Sequence, residues 1–243
     1  MSERLTLIVP AYKVAKYLPA CLQSIAEQPD SDFSVIVVDD GSPDNSGAIA
    51  DAFAAKDTRF SVLHQANAGV SVARNAGLSK ATGEWVWFVD GDDLIAPSAI
   101  STLLAALDGH AAFDMLCFGY RSYPCRLEPI APCSLRRLTV EEIRALRLRN
   151  VFARDDLPCA DVATNSASFC LYRRAFLTEH GLRFQQDIHF GQDSLFHLQA
   201  LFCVERICVL NASLYLYRRN EGSISIRYSP NIVALKLALV AAY

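Results

Sequence analysis

Three carboxylates within four residues, Asp90-Gly91-Asp92-Asp93, form the densest reactive group in the chain. They follow the apolar run Trp85–Val89, and Gly91 permits a tight turn between them. Like charges this close repel one another, and a cation relieves the repulsion. Hard divalent ions such as Mg²⁺ and Mn²⁺ favour carboxylate oxygens and share their coordination with substrate phosphates. The plainer reading is a solvated turn in which Asp92 or Asp93 caps the next helix. A second pair, Asp39-Asp40, ends the run SVIVV and leads into Gly41-Ser42. A carboxylate there suits the imide N–H of uracil or a comparable base donor. As an ordinary turn, the same stretch leaves Asp44 to cap the following helix. Arg74 and Asn75 lie near the start of a helical segment, where a guanidinium either meets phosphate or base or lies on the surface. Asp193 precedes SLFHLQALF and reads locally as a helix N-cap.

The elements that must position these groups alternate between strand and helix, which predicts a largely parallel sheet with crossover helices. Leu5–Val9, Ser34–Asp39, Phe60–His64 and Trp85–Val89 read as strands, the first ended by Pro10. Between them, Val14–Glu27, Asp44–Ala55 and Ser71–Ala81 carry helical spacing, with Leu18, Leu22 and Ile25 on one side of the first. Pro97 suits the opening turn of a helix reaching Leu107, and Met115–Tyr120 reads as the next strand. Ligands of open α/β sheets bind beyond the carboxyl ends of strands. The polar clusters Pro10–Lys13, Asp39–Ser42 and Asp90–Asp93 all stand at such ends. Beyond residue 120, Pro124, Pro129, Pro132 and Pro158 break the pattern and leave one helix over Thr139–Arg149. Helices follow near Arg173–His180 and Asp193–Phe202, then strand-like runs Arg206–Leu210 and Ser213–Tyr217. Trp85 and Trp87 are expected to pack into the two faces of the sheet.

The 243 residues, 52% hydrophobic and 20% charged, fit one globular domain with a buried core. A net charge of −3 gives no reason to expect nucleic acid. Basic residues gather at Arg136–Arg137, Arg144–Arg149 and Arg173–Arg174, the first two groups on what reads as a solvated helical face. The eight cysteines contain no C-x-x-C pair, and the histidines His64, His110, His180, His189 and His197 have no ligand spacing. Reduced thiols in a cytoplasmic protein are therefore expected. The start MSERLTLIVP does not read as a signal peptide, and no apolar run reaches the roughly 18 residues of a spanning helix. Residues 231–243, NIVALKLALVAAY, read as a helix without a stop signal, which suggests that a longer chain continues.

Taken in order, VPAYKVAKYLPACLQSI, VIVVDDGSPDNS and NAGVSVARNAGLSKATGEWVWFVDGDD resemble the family 2 glycosyltransferases with the GT-A fold. The likeness continues through FGQDSLF and ends around YRRNEGSIS. It implies an α/β three-layer sandwich, a mainly parallel mixed sheet flanked by helices, with the catalytic domain over 1–227 and a C-terminal helix over 228–243. It also implies roles. Pro10, Ala11 and Tyr12 match the turn that packs around the nucleobase, with Lys13 where the family commonly has Asn. Asp40 matches the base-contacting aspartate, Arg74 lines the nucleotide site, and Asp90 lies near the ribose. Asp92 matches the ligand of Mn²⁺ or Mg²⁺, and Asp93 supports the turn. Asp193 inherits the role of general base, with Gln192 in place of the usual Glu. That exchange removes a neighbouring carboxylate that would raise the pKa of Asp193. Arg218, Arg219 and Ser223 match a loop near the donor diphosphate.

The implied reaction is an inverting transfer from a nucleotide-diphosphate sugar, on family habit a UDP-sugar, to a hydroxyl of a cell-surface glycan or lipid-linked acceptor. The expected setting is the cytoplasm, at the inner face of a membrane with peripheral association. Two relatives by chemistry are excluded by the residues after the first strand. Val9-Pro10-Ala11-Tyr12 has neither the Gly-rich basic loop of sugar nucleotidyltransferases nor the G-x-G-x-x-G of a dinucleotide site. A nucleotide-sugar binding protein of the same fold, weak in catalysis, is the alternative that Gln192 keeps open.

Overall fold

Runs of β-branched and aromatic residues become strands wherever both faces can be buried, and they follow one another along the chain in a computed structural model. The structure describes residues 3–108, 113–126, 130, 133–152, 166–188, 191–219 and 234. In chain order the elements are β1 (Leu5–Ala11), α1 (Leu18–Ala26), β2 (Phe33–Asp39), α2 (Ser46–Ala54), β3 (Phe60–His64), α3 (Val70–Lys80) and β4 (Trp85–Phe88). They continue as β5 (Leu94–Ile95), α4 (Ala99–Leu107), β6 (Met115–Tyr123), β7 (Leu135–Arg137) and α5 (Val140–Phe152). A 3₁₀ turn at Ala167–Phe169 precedes β8 (Cys170–Arg173), α6 (Arg174–Glu179), α7 (Gln192–Cys203) and β9 (Ile207–Arg218).

The strands form one mixed sheet in the order β3-β2-β1-β4-β8-β6-β9-β5, with β7 paired to β9. The first four are parallel, while β8 runs antiparallel to both β4 and β6. Because β6 thereby runs with β4, and β9 with β6, their carboxyl ends share the edge where β1, β2 and β4 also end. Side chains alternate across each strand. Leu5, Leu7 and Val9 pack with Leu22, Ala50 and Leu103, burying α1, α2 and α4 on one face. Ile8, Val86 and Phe88 pack with Leu146, Phe176 and Phe196, burying α5, α6 and α7 on the other, and Ala73 of α3 meets Ile36 and Val38 there. This is the expected three-layer α/β arrangement.

Several local readings change. Trp85 and Trp87 lie in the same core cluster, on one face of the sheet, because residues two apart in a strand point the same way. Pro10 does not end β1, which pairs Pro10 with Val38 and Ala11 with Asp39. Its ring is tolerated because it faces the β4 side, where pairing with β1 stops at Ile8↔Phe88. The runs 206–210 and 213–217 form one strand with a bulge, since Phe118 pairs with Leu210 and Gly119 with Ser213. Arg136 and Arg137 belong to β7 and not to a helix. Arg173 pairs with buried Asp114 (2.7 Å), and Arg174 Nε donates to Gly83 O (2.8 Å). Thr139 and Glu142 cap α5 reciprocally: Thr139 Oγ1 accepts from the Glu142 N–H (3.2 Å), and Glu142 Oε2 accepts from the Thr139 N–H (2.8 Å). Cys21, Cys117, Cys125, Cys133, Cys170, Cys203 and Cys208 are free thiols. No helix among the described residues is long and apolar enough to cross a membrane. The expected helix over 228–243, Cys159, His110, His189 and Ser223 lie outside the described residues, Ala234 apart.

Candidate active site

The acidic turn sits where β4 leaves the sheet, and its glycine is required by contact. A Cβ on Gly91 would lie 2.9 Å from the Pro10 carbonyl oxygen, so only glycine lets the turn rest on the end of β1. The three carboxylates of the turn have different surroundings. Asp93 is buried, with Oδ2 accepting from the Tyr215 hydroxyl (2.6 Å) and Oδ1 from the Arg218 N–H (2.7 Å). Asp90 is half-buried; its N–H donates to Tyr215 Oη (3.1 Å) and its Oδ1 meets Arg74 Nη2 at 2.5 Å. Asp92 is half-buried as well, and its main-chain carbonyl accepts from Arg218 Nε (2.7 Å). β9 thus returns across the sheet to hold the turn through Tyr215 and Arg218. The Arg218 guanidinium lies 5.3 Å from the Tyr17 ring and 4.7 Å from the Tyr123 ring, which keeps it over the turn.

Burial, then the charges of Asp90 and Asp92, push the Asp93 carboxyl up to about 8, against hydrogen bonds from Tyr215 and Arg218 that lower it. Burial also pushes the Tyr215 hydroxyl well above its ordinary value, reinforced by Asp93 and Asp90. The turn therefore crowds carboxylates whose mutual repulsion is relieved in part by a proton on Asp93, and a hard cation would relieve it further. Among the described residues, no three His, Cys, Asp or Glu side chains converge as a ligand set.

Arg74, in the second turn of α3, is the buried cation of the site. Burial works to lower its pKa, and the charges of Asp90 and Asp193 more than offset this, so the guanidinium stays firmly protonated. Its Nε and Nη1 are buried and have no hydrogen-bond partner among the described residues. Asp193 lies in the first turn of α7, half-buried, after Gly191 in the left-handed conformation (φ 73°). It is not the N-cap, a position Gly191 holds.

Asp40, the expected base contact, is bonded within the protein. Asp40 is buried, and its Oδ1 accepts from Gln65 Nε2 (2.6 Å) and the Ala68 N–H (2.9 Å). Its Oδ2 accepts from Asn67 Nδ2 (2.9 Å) and the Gly69 N–H (2.8 Å). A carboxylate has about four acceptor positions, and all are taken by the loop that leads into α3. Asp40 therefore anchors that loop. Asp39 is likewise engaged, by the Ser42 N–H (3.0 Å) and His64 Nδ1 (3.0 Å). Asn45 and not Asp44 is the N-cap of α2; Asp44, one residue earlier, accepts from Ser46 N and Oγ (3.1 and 2.6 Å).

Of the remaining expected residues, Pro10 and Ala11 are buried at the end of β1 beside the turn, and Tyr12 is exposed with the Lys13 ammonium 5.1 Å from its ring. Arg219 is exposed, and its N–H reaches Tyr123 O at 3.4 Å. Asp90, Asp92, Arg74, Asp193, Pro10 and Arg218 are thus gathered at one edge, and Asp40 follows β2 there, with its N–H on Ala11 O (2.9 Å). Sequence reasoning passed over Tyr215, whose only signal was its place in a strand ending on that edge.

The sequence profile of glycosyl transferase family 2 matches residues 6–181. EpsJ of Bacillus subtilis (strain 168), described as an uncharacterized glycosyltransferase, is 33% identical over 237 residues, 95% of this chain and 65% of EpsJ. Glycosyltransferase GlyG of Streptococcus pneumoniae serotype 4 is 34% identical over 229 residues, 92% of this chain and 73% of GlyG. The solved structure of S. aureus TarS 1-349 in complex with UDP-GlcNAc aligns with a TM-score of 0.77 at 28% identity, covering 98% of this chain and 66% of that one. The chain thus spans about two thirds of the length of EpsJ and of that TarS fragment. The likeness to TarS bears out the expected GT-A architecture.

Proposed function

The chain belongs to glycosyl transferase family 2, and on that footing we propose that it transfers a sugar from a UDP-sugar to an acceptor hydroxyl of a cell-surface glycan, with inversion. The observation that carries this reading is Arg74. A buried guanidinium, fixed to Asp90 at 2.5 Å, with two donors that have no partner among the described residues, is costly unless a ligand completes it. It stands where Asp92 and Asp193 meet the carboxyl edge of the sheet, so an anionic or carbonyl-bearing ligand is the fitting partner. The TarS complex with UDP-GlcNAc supports uridine as the base and makes that molecule the first donor to test.

In this reading Pro10, Ala11 and Tyr12 border the nucleobase, Asp40 shapes that side through the 65–69 loop, and Arg74 and Asp90 hold the nucleotide. Asp92 is the residue that would hold Mg²⁺ or Mn²⁺. Such an ion, when bound, stabilises the charge that develops on the departing diphosphate. Arg218 and Arg219 add positive charge on the same side. Asp193 accepts the proton of the attacking hydroxyl as its oxygen bonds to the anomeric carbon and the bond to the diphosphate breaks. One base facing the leaving group gives a single displacement, and hence inversion. Seven free cysteines among the described residues suit a reducing compartment and support a cytoplasmic setting; the inner face of a membrane is where a cell-surface glycan acceptor would place the chain.

Calorimetry of UDP binding with and without Mn²⁺, on the wild type and Asp92→Ala, tests the donor site. Metal-dependent UDP binding that the substitution abolishes is the expected result, and no nucleotide binding under either condition overturns the reading. Release of UDP from UDP-GlcNAc, lost in Asp193→Asn, tests the chemistry. Donor binding with no turnover under any acceptor would identify instead the nucleotide-sugar binding protein that Gln192 suggests.

A further inference from the structure

Asn75, the residue after Arg74, makes contacts that nucleotide binding does not require. Its Nδ2 donates to Phe184 O at 2.8 Å, and the Phe184 N–H donates to its Oδ1 at 2.9 Å, across 109 residues of sequence. One side-chain amide thus meets both main-chain groups of a residue in a segment without regular structure, where they would otherwise go unpaired at some cost.

The Phe184 ring carries the connection further. It stacks on Phe196 of α7 with centroids 4.0 Å apart and planes 4° from parallel, and meets Phe88 edge-on at 4.9 Å. The Arg74 guanidinium lies 5.0 Å from the same ring. Phe88 stands two residues before Asp90, and Phe196 three residues after Asp193, on the same side of α7 as that carboxylate. Two consecutive residues of α3 therefore grip the two halves of the site: Arg74 holds the acidic turn, and Asn75 holds the segment on which α7 rests.

We propose that Asn75 and Phe184 are positioning residues that fix the Asp193 end of α7 against the acidic turn; this rests on reading Asp193 as the base. Neither residue touches the reacting atoms. Their effect is to set the distance between the group that takes the proton and the groups that hold the donor, and a displacement of about 1 Å can cost about 100-fold in rate.

The test uses the full chain with UDP-GlcNAc as donor and water as the accepting hydroxyl, following UDP release in the wild type, Asn75→Ala, Phe184→Leu and Asp193→Asn. Hydrogen exchange of the amides at 192–196 is measured alongside. Asn75→Ala and Phe184→Leu should each lower kcat about 10- to 100-fold while donor KM stays within about twofold. Both should speed exchange at 192–196 and leave β1 and β2 protected. Phe184→Leu keeps the main-chain bonds and removes the stack, so it decides the matter should Asn75→Ala fail to fold. Wild-type kcat in both variants, with Asp193→Asn inactive, overturns the positioning role and leaves the base reading standing. Wild-type rates in Asp193→Asn overturn the base reading, and the positioning role with it. Should the wild type release no UDP, exchange decides alone: unchanged protection at 192–196 in both variants rejects the grip.

Discussion

Asp40→Asn separates two roles that one carboxylate might serve, loop anchor and base contact. Its oxygens accept four hydrogen bonds, two from main-chain N–H groups and two from side-chain amides. An asparagine presents one acceptor and one donor, so one side of the new amide must face N–H groups. On the Oδ1 side, Gln65 can turn its own amide to accept, but the Ala68 N–H cannot change. On the Oδ2 side, Asn67 also donates to the Asp40 carbonyl (3.0 Å), and turning it would forfeit that bond. The cheaper arrangement loses the Ala68 bond, leaves two donors opposed and weakens the rest by removing the charge. A hydrogen bond to a charged group is worth about 1.5–3 kcal/mol, so the folded state should lose about 3 kcal/mol. Urea unfolding should show a midpoint lowered by about 1–2 M at unchanged slope. The folded fraction should still bind UDP within about threefold of the wild type, since no acceptor position of Asp40 faces a ligand. A midpoint shift worth less than about 1 kcal/mol, joined to a tenfold loss of UDP affinity, would refute the argument and return Asp40 to the nucleobase.

Other perturbations follow from contacts away from the anchor. Gly91→Ala forces the turn off the Pro10 carbonyl, which should cost about 1–3 kcal/mol in thermal unfolding and weaken Mn²⁺-dependent UDP binding; full retention of both would show that the turn can slide. Arg59 donates to the carbonyls of Ala26 (2.7 Å), Gln28 (3.0 Å) and Asp30 (2.8 Å) while paired with Asp57. Arg59→Ala should therefore destabilise by about 2–4 kcal/mol in urea unfolding. Hydrogen bonds to Asp39 and Asp51 raise the His64 pKa, against a smaller opposing effect of burial. Its stabilisation is thus fully present below the ordinary histidine value of about 6.5 and fades as pH rises through the raised one. Unfolding temperatures measured from about pH 5 to 8 should lose part of their decline in His64→Gln, modestly because the imidazole is half-exposed.

What the residues disclose on their own is what is local. Ile36, Val37 and Val38 can only be a strand buried on both faces, and Phe60–His64 forms over the bounds its pattern suggests. Where the pattern is short or interrupted, legibility fails. Cys170–Arg173 is four residues set directly against a helix, and Leu135–Arg137 follows three prolines, so neither announces a strand. The site divides in the same way. Asp90 and Asp92 stand out because their crowding is visible in four consecutive letters. The partners that give each carboxylate its task lie far along the chain: Tyr215 is 122 residues from Asp93, and Phe184 is 109 from Asn75. No periodicity encodes such a pairing, since it depends on which strand ends meet on one edge of the sheet. Asp40 shows the consequence most clearly. Its place before Gly41-Ser42 at a strand end marks a functional edge, and the chain does bring it there. Its bonds to residues 65–69, which return to it from β3, leave no trace in the strand that carries it. Position on the fold was therefore readable from the strand that carries it, whereas role depended on what the rest of the chain delivers to the same spot.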